Sequence, residues 1–130
     1  MKSRYLSVLP LILLLSIMNI SHAQSQPNPN YLRIAKITVD KARLPEYMVA
    51  LKAQMEAALR DEKGVLAYTA VADKDRPERI TIFETYASKE AYLSHIETAH
   101  FKQYKAAVAD MVLELELTDV VPIAIRSKLN

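Results

Sequence analysis

The chain of 130 residues contains no cysteine, no tryptophan and a single glycine, Gly64. Without cysteine it can form no disulfide, offers no thiol nucleophile and has no Cys/His set for structural zinc. One glycine is too few for a P-loop, a dinucleotide-binding fingerprint or a nucleophile elbow, because each of these turns needs several. A folded domain of this size must therefore be stabilised by its apolar core or by oligomerisation.

The N-terminal residues have the three parts of a secretory signal peptide. Lys2 and Arg4 form a basic start, Leu6 to Ile20 is almost wholly apolar, and Ser21 to Ala23 supplies the small residues of a cleavage site. The apolar run is shorter than the ~20 residues that span a bilayer. We therefore expect cleavage near Ala23 rather than an uncleaved membrane anchor, and an exported protein that is periplasmic or secreted.

Charge in the remainder of the chain is balanced. The leader holds two of the 17 basic residues and none of the 15 acidic ones, so the formal charge of +2 disappears on cleavage. A balanced surface favours neither nucleic acid nor an anionic membrane as a partner. We expect residues 24–31 to form a flexible lead-in, because they are polar and rich in proline and asparagine. Residues 32–126 then have the length of one domain.

The domain has strand-like and helical patterns in the order βαββαβ. Strands are predicted at Leu32 to Val39, at Val65 to Ala72 and Arg79 to Tyr86 as a hairpin, and from Leu113 past Pro122 as an edge or bulge. Apolar residues with helical spacing predict a helix from about Pro45 to Glu62. Gly64 is expected to end that helix in the left-handed conformation. Ser88 is expected to cap a second helix that bends near Thr98 to His100.

This order predicts an α+β fold of the ferredoxin-like type, an antiparallel sheet with both helices on one face. The hairpin strands carry apolar residues on both faces, whereas a sheet with one solvated face alternates more cleanly. The open face therefore needs a cover, and we expect a homodimer.

Spaced residues between Gly64 and Tyr104 resemble the antibiotic biosynthesis monooxygenase (ABM) family. The matching patterns are Gly64-x-x-x-Tyr68, Glu84-x-Tyr86, Ser88-x-Glu90-Ala91-Tyr92 and His95-x-x-x-x-His100-Phe101-Lys102-x-Tyr104. The likeness extends over roughly Leu32 to Val121. It implies a dimeric α/β barrel with a pocket between sheet and helices in each subunit.

The resemblance implies several activities, and one fold hosts many chemistries. The reading we favour is cofactor-independent oxygenation of quinol or polyphenol-type aromatic compounds, with neither flavin nor metal. Isomerisation of a small dicarbonyl compound is the alternative, because the spacing of His95 and His100 occurs in both kinds of member. A non-catalytic binding or stress-response module is the third. Haem degradation is not expected, because the members with that activity carry tryptophan at the position of His95 and histidine at that of Lys105.

His95 is the predicted catalytic residue. It lies on the apolar stripe of its helix with Ala91 and Tyr92, so its ring is expected to face the pocket. A buried imidazole that titrates near neutral pH could remove a proton from a phenolic or enolic hydroxyl. The alternative is a core histidine satisfied by one hydrogen bond.

The remaining candidates are substrate-binding residues with structural alternatives. His100 either contacts substrate or caps the helix break, and Glu84 is a pocket base, an ion-pair partner or a dimer contact. The aromatic candidates for substrate binding are Tyr68, Tyr86, Tyr92, Phe101 and Tyr104. The alternative is that these side chains belong to the core. A metal site is not expected, because five residues separate the two histidines by about 140° on a continuous helix and no third ligand is evident.

Overall fold

The computed structural model describes residues 30–128. The predicted signal peptide and most of the predicted lead-in lie outside the described residues. Four strands are present, β1 (Tyr31–Val39), β2 (Val65–Ala72), β3 (Arg79–Tyr86) and β4 (Val112–Val120), with three helices, α1 (Leu44–Asp61), α2 (Lys89–His95) and α3 (Ala99–Val108). Within residues 30–128, no helix combines the length and apolarity that crossing a membrane requires.

The four strands form one antiparallel sheet in the order β2-β3-β1-β4, which confirms the predicted ferredoxin-like fold. Ala35 of β1 pairs with Ile82 of β3, so both point to the same face of the sheet. Tyr47 and Leu51 of α1 and Val108 of α3 pack against that face and form the core with it. The helices therefore cover one face, as expected.

Gly64 does not have the conformation predicted for it. The described residues include no glycine with positive φ, and α1 ends at Asp61 with Glu62 in extended conformation (φ −114°, ψ 106°). The left-handed cap was thus a wrong prediction. A Cβ atom at Gly64 would lie 2.6 Å from the Cβ of Ala91 in α2. Glycine is required here because α2 approaches the backbone closely.

The predicted cap and break of the second helical stretch are confirmed. Ser88 accepts a hydrogen bond from the backbone N–H of Ala91 at 3.1 Å. The stretch divides into α2 and α3, and the hydroxyl of Thr98 accepts from the N–H of Phe101 at 3.4 Å. Thr98 therefore caps α3, and the alternative of a capping role for His100 was wrong. We expected His95 and His100 to point in different directions on one continuous helix, and this was wrong. Because the helix breaks between them, their ring centroids lie 6.0 Å apart.

The last strand and the open face differ in part from expectation. β4 ends at Val120, so the predicted continuation past Pro122 was wrong, and proline has no N–H for the ladder. On the open face, Ile34 pairs with Phe83, and Phe83 is 47% exposed. Towards β4 the same face carries the pair of Lys36 and Glu116, with 3.7 Å between Nζ and Oε1. The open face is apolar at its centre and charged at one side.

Candidate active site

A cavity of about 90 Å³ lies between the helix-covered face of the sheet and the helices. Apolar side chains such as Ile82, Leu51 and Val108 form part of its wall. The polar and aromatic part of the lining is formed by Arg33, Gln54, Tyr68, Glu84, Tyr86, Tyr92, His95, Phe101, Tyr104 and Lys105. A few polar groups in a mostly apolar hollow are typical of sites for small molecules.

His95 is the last residue of α2 and is 1% exposed. Its Nδ1 lies 2.8 Å from Oε2 of Glu62, while its Nε2 lies 3.0 Å from the hydroxyl of Tyr68 and 3.2 Å from Nε2 of Gln54. A carboxylate only accepts hydrogen bonds, so Nδ1 carries the hydrogen; an amide nitrogen only donates, so Nε2 is an acceptor. These partners assign a neutral imidazole whose lone pair is on the Nε2 side.

Burial lowers the pKa of His95, the hydrogen bond and charge of Glu62 oppose this, and the charge of His100 lowers the pKa further. The ring is therefore neutral at pH 7 and free to accept a proton. Once it is protonated, the carboxylate of Glu62 stabilises the imidazolium, as in the orienting carboxylates of hydrolytic triads.

Glu62, immediately after α1, joins the two histidines. Its Oε2 is 2.7 Å from Nε2 of His100 and 2.8 Å from Nδ1 of His95, and its side chain is 13% exposed. Sequence reasoning missed Glu62 and therefore found no third metal ligand. In the part of the chain that the structure describes, Glu62, His95 and His100 are a group that could hold a metal ion, with ligand atoms within 4.8 Å of one another. A two-histidine, one-carboxylate set suits Zn²⁺ or Fe²⁺.

A second set of hydrogen bonds leads from His95 to Glu84. The hydroxyls of Tyr68 and Tyr86 are 2.8 Å apart, and Tyr86 donates to Oε2 of Glu84 at 2.9 Å. Burial raises the pKa of Glu84, while the hydrogen bond from Tyr86 and the charge of Arg33 oppose this rise. Burial also raises the pKa values of Tyr68 and Tyr86, so both hydroxyls keep their protons.

Arg33 lies beside Glu84 on the neighbouring strand but pairs elsewhere. Its Nε is 3.1 Å from Oδ1 of Asp119, and its guanidinium lies 4.5 Å from the ring centroid of Tyr92. Within residues 30–128, Glu84 forms no ion pair, so the alternative of an ion-pair partner was wrong for it. Its main partner is a tyrosine hydroxyl.

The structure brings most of the predicted site residues to one cavity. His95, with Tyr68, Glu84, Tyr86, Tyr92, Phe101 and Tyr104, lines it, but His100 does not. The ring of His100 is held by Glu62, on the Nδ1 side of His95, and its predicted contact with substrate stays a prediction. The missed residues Arg33 and Gln54 had a signal in the sequence, since each is a polar residue among apolar neighbours on a core-facing stripe.

Comparison with known proteins agrees with this fold. The family model described as "Antibiotic biosynthesis monooxygenase" matches residues 30–107. A solved structure from Bacteroides thetaiotaomicron, provisionally assigned as an antibiotic biosynthesis monooxygenase, is 46% identical with a TM-score of 0.74, and the match covers 78% of this chain and 96% of that one. A provisionally assigned monooxygenase from Lactobacillus acidophilus is 26% identical with a TM-score of 0.71, over 72% of this chain and 45% of that one.

A third structure, from Nitrosomonas europaea, is 23% identical with a TM-score of 0.70, over 75% of this chain and 93% of that one, and supports the fold alone. Among curated proteins, none matches the chain. The family match spans more than half of the chain, and the 46% identity extends over nearly all of the Bacteroides protein. The chain belongs to the antibiotic biosynthesis monooxygenase family.

Proposed function

We propose that the protein is a cofactor-independent monooxygenase that acts on quinol or polyphenol-type aromatic compounds in an exported compartment. One observation carries the proposal. The accepting nitrogen of His95 faces an aromatic-lined cavity, and the other nitrogen is held by the carboxylate of Glu62. This is the arrangement of a general base whose tautomer is fixed.

The reaction begins when Nε2 of His95 takes the proton of a phenolic hydroxyl, which produces an electron-rich phenolate and an imidazolium. The phenolate passes electrons to dioxygen, and one oxygen atom forms a new bond to a ring carbon, whose C–H bond then breaks. The other oxygen atom leaves as water, which carries the proton from that carbon and the phenolic proton. A phenol plus O₂ thereby gives a quinone plus water, so the substrate supplies all the electrons and no external reductant is needed. The protein contributes the base and flat walls for an aromatic ring, among them Phe101 and Tyr92.

The size of the cavity limits the substrate. At about 90 Å³ it is smaller than the ~150 Å³ apolar cavity that holds benzene in an engineered protein. Leu115 and Leu117 of β4 also line the cavity, and they are 45% and 46% exposed. The wall at β4 therefore consists of side chains that can move. We expect a substrate of one ring, admitted at the β4 side.

The isomerase alternative is supported by a specific observation. Two proton-carrying groups, His95 and Glu84, line the same cavity. Such a pair is suited to moving a proton between two carbons of a small dicarbonyl compound without dioxygen. A non-catalytic binding or stress module would use the same cavity and show tight binding without turnover.

Export and a homodimer belong to the same proposal. Export is supported by the leader at residues 1–23, and the dimer by exposed apolar residues on the open face, Phe83 of β3 and Val71 of the edge strand β2, each 47% exposed. N-terminal sequencing of the protein from a secreting host should give Gln24 as the first residue. Sedimentation should give a dimer, and Phe83→Lys should give a monomer; a monomeric unsubstituted protein would contradict the dimer.

The test of the activity is oxygen consumption with a panel of single-ring quinols and polyphenols, corrected for autoxidation without protein. His95→Ala should lower the rate by roughly 10²-fold or more, the range for loss of a general base. Ser94→Ala, an exposed neighbour on the same helix, is the matched control and should retain the rate. Uptake that survives His95→Ala overturns the role of His95. No uptake across the panel overturns the oxygenase, and isomerisation of dicarbonyls without oxygen uptake would establish the alternative.

A further inference from the structure

We propose that Glu62, His95 and His100 bind a Zn²⁺ ion, and that the bound ion prevents His95 from acting as a base. The metal site itself goes beyond the proposed function, because metal binding needs no substrate. The effect of the ion on activity rests on the proposed function. In this proposal Zn²⁺ is a regulator of the protein and takes no part in the reaction.

The three ligands come from three segments of the chain. Each of the three residues places one potential ligand atom within 4.8 Å of the other two. Glu62 follows α1, His95 is the last residue of α2, and His100 lies in the first turn of α3. Two imidazole nitrogens and one carboxylate oxygen are a set that binds zinc in proteins, with water as the fourth ligand. Of the two metals that suit this set, Zn²⁺ binds more tightly than Fe²⁺.

The charge of Glu62 is an independent indication of a cation. Its side chain is only 13% exposed, and in the described part of the chain His95 and His100 are its only ion-pair partners. Neutral imidazoles donate hydrogen bonds to a carboxylate but supply no positive charge. Buried charges in proteins are usually paired with an opposite charge or coordinate a metal. A divalent cation between Glu62 and the two histidines would supply the missing charge.

The present distances are close to those that zinc needs. Oε2 of Glu62 lies 2.8 Å from Nδ1 of His95 and 2.7 Å from Nε2 of His100, which are hydrogen-bond distances. Tetrahedral zinc with ligands at about 2.0–2.2 Å separates its ligand atoms by about 3.3 Å. The carboxylate must therefore withdraw by about half an ångström. Glu62 has extended backbone beyond the end of α1, so rotation of its own side chain suffices.

Thr98 fixes the turn that carries the two histidines. Its hydroxyl donates to the carbonyl of His95 at 2.7 Å and lies 3.3 Å from Nε2 of His100. Metal sites need ligands that the surrounding structure holds in place. The break between α2 and α3 therefore gives both rings defined positions around Glu62.

The ion would lie on the Nδ1 side of His95, whereas the contacts with the cavity are on the Nε2 side. Tyr68 and Gln54, the partners of Nε2, line the cavity. Among the described residues that line it, neither Glu62 nor His100 occurs. The imidazole ring thus separates the ion from a substrate in the cavity. This position suits an ion that controls His95 better than one that activates the substrate.

Metal binding reverses the tautomer of His95. Without metal, Nδ1 carries the hydrogen and Nε2 the lone pair. The ion takes the lone pair of Nδ1, so the hydrogen moves to Nε2 and no proton leaves the neutral ring; His100, bound through Nε2, likewise keeps its hydrogen on Nδ1. Metal-bound histidines usually donate their other N–H to a nearby acceptor. Here the hydroxyl of Tyr68 lies 3.0 Å from Nε2, and a half-turn of the Gln54 amide presents its oxygen. His95 then accepts no proton from a phenolic hydroxyl.

The test of the site is a calorimetric titration of chelator-treated protein with Zn²⁺, beside ¹⁵N shifts of the histidine rings. We expect saturation at a single ion per chain and transfer of the His95 hydrogen from Nδ1 to Nε2. Loss of an outer partner of a metal ligand weakens binding by about 10–100-fold. Loss of a ligand in Glu62→Gln or His100→Gln should therefore weaken it by more than about 100-fold.

Glu97→Gln is the matched control for Glu62→Gln, because Glu97 is an exposed glutamate that pairs with Lys102. It should leave the affinity unchanged. Affinity that survives both Glu62→Gln and His100→Gln would overturn the site. Ring shifts that Zn²⁺ leaves unchanged would also overturn it, and this measurement uses the unsubstituted protein, so it stands even if a variant fails to fold.

The effect on activity is measured by oxygen consumption with a quinol, corrected for the effect of Zn²⁺ on autoxidation. Saturating Zn²⁺ should lower the rate by roughly 10²-fold, as for loss of a general base, and a chelator should restore it. The activity that remains in His100→Gln should be insensitive to the same concentration. Zinc that binds without lowering the rate would overturn the regulation. Zinc binding in a protein that consumes no oxygen with any quinol would confirm the site and overturn the proposed function, so the two failures are distinguishable.

Discussion

Replacement of Glu62 by glutamine tests the carboxylate that joins the two histidines. Glutamine keeps the size of the side chain and an acceptor oxygen, but it removes the negative charge 2.8 Å from Nδ1 of His95 and 2.7 Å from Nε2 of His100. Glu62 raises the pKa of His95, whereas burial lowers it. Without the charge of Glu62, the lowering by burial is offset less. The pKa of His95 should therefore fall further.

The size of the fall follows from the kind of hydrogen bond. A bond to a charged group contributes about 1.5–3 kcal/mol and a neutral one about 0.5–1.5 kcal/mol. The difference is about 1–1.5 kcal/mol. Since one pKa unit corresponds to about 1.4 kcal/mol, we expect the pKa of His95 in Glu62→Gln to be lower by about one unit.

The assay is an NMR titration of the imidazole protons of His95. Glu97→Gln is the matched control, because Glu97 is an exposed glutamate that pairs with Lys102 at 2.7 Å. It should leave the His95 midpoint in place. A His95 midpoint that stays constant or rises in Glu62→Gln would contradict stabilisation of the imidazolium by Glu62.

Three further predictions concern stability. Gly64→Ala should destabilise the fold by about 1–3 kcal/mol, because the new Cβ would lie 2.6 Å from the Cβ of Ala91. Calorimetry should show a lower Tm that Ala91→Gly partly restores. An unchanged Tm would contradict the close approach. Burial raises the pKa of Glu84. Protonated Glu84 therefore stabilises the fold below the unfolded-state pKa of about 4.3. This contribution is lost as the pH rises through the higher folded-state pKa. Glu84→Gln should therefore be more resistant to urea than the unsubstituted protein at pH 7 and lose that advantage near pH 4; an equal advantage at both would refute the linkage. Thr98→Ala should lower the free energy of unfolding by about 1 kcal/mol, because it removes a helix cap. The Thr98 hydroxyl also donates to the carbonyl of His95, so hydrogen exchange of α3 should become faster. Unchanged exchange would contradict the capping role.

Local chemistry made much of the fold predictable. The hairpin strands, Val65–Ala72 and Arg79–Tyr86, have the predicted bounds because a run of charged and turn residues separates two apolar runs. The break between α2 and α3 lies at the predicted bend near Thr98 to His100. The end of α1 was misjudged because a lone glycine after a helix has two explanations, a left-handed cap or a close neighbour. Only the packing of Ala91 decides between them.

The predicted site residues that line the cavity come from β2, β3, α2 and α3. His95, Phe101 and Tyr104 lie on consecutive helices, so their spacing indicated a common wall. Glu62 comes from the end of another helix, and nothing in the sequence around it distinguishes it from a solvated glutamate. Its role appears only when the fold places it between the two histidines. Contacts between distant elements decide which polar residues belong to a site.

The most direct measurement of the central claim is the tautomer of His95, read from the ¹⁵N shifts of its two ring nitrogens at pH 7. We expect a hydrogen on Nδ1, donated to Glu62, and a lone pair on Nε2, because Gln54 donates there. That result leaves Nε2 able to accept a proton from a substrate. A hydrogen found on Nε2 in the neutral ring would contradict the assignment of His95 as the base of this cavity.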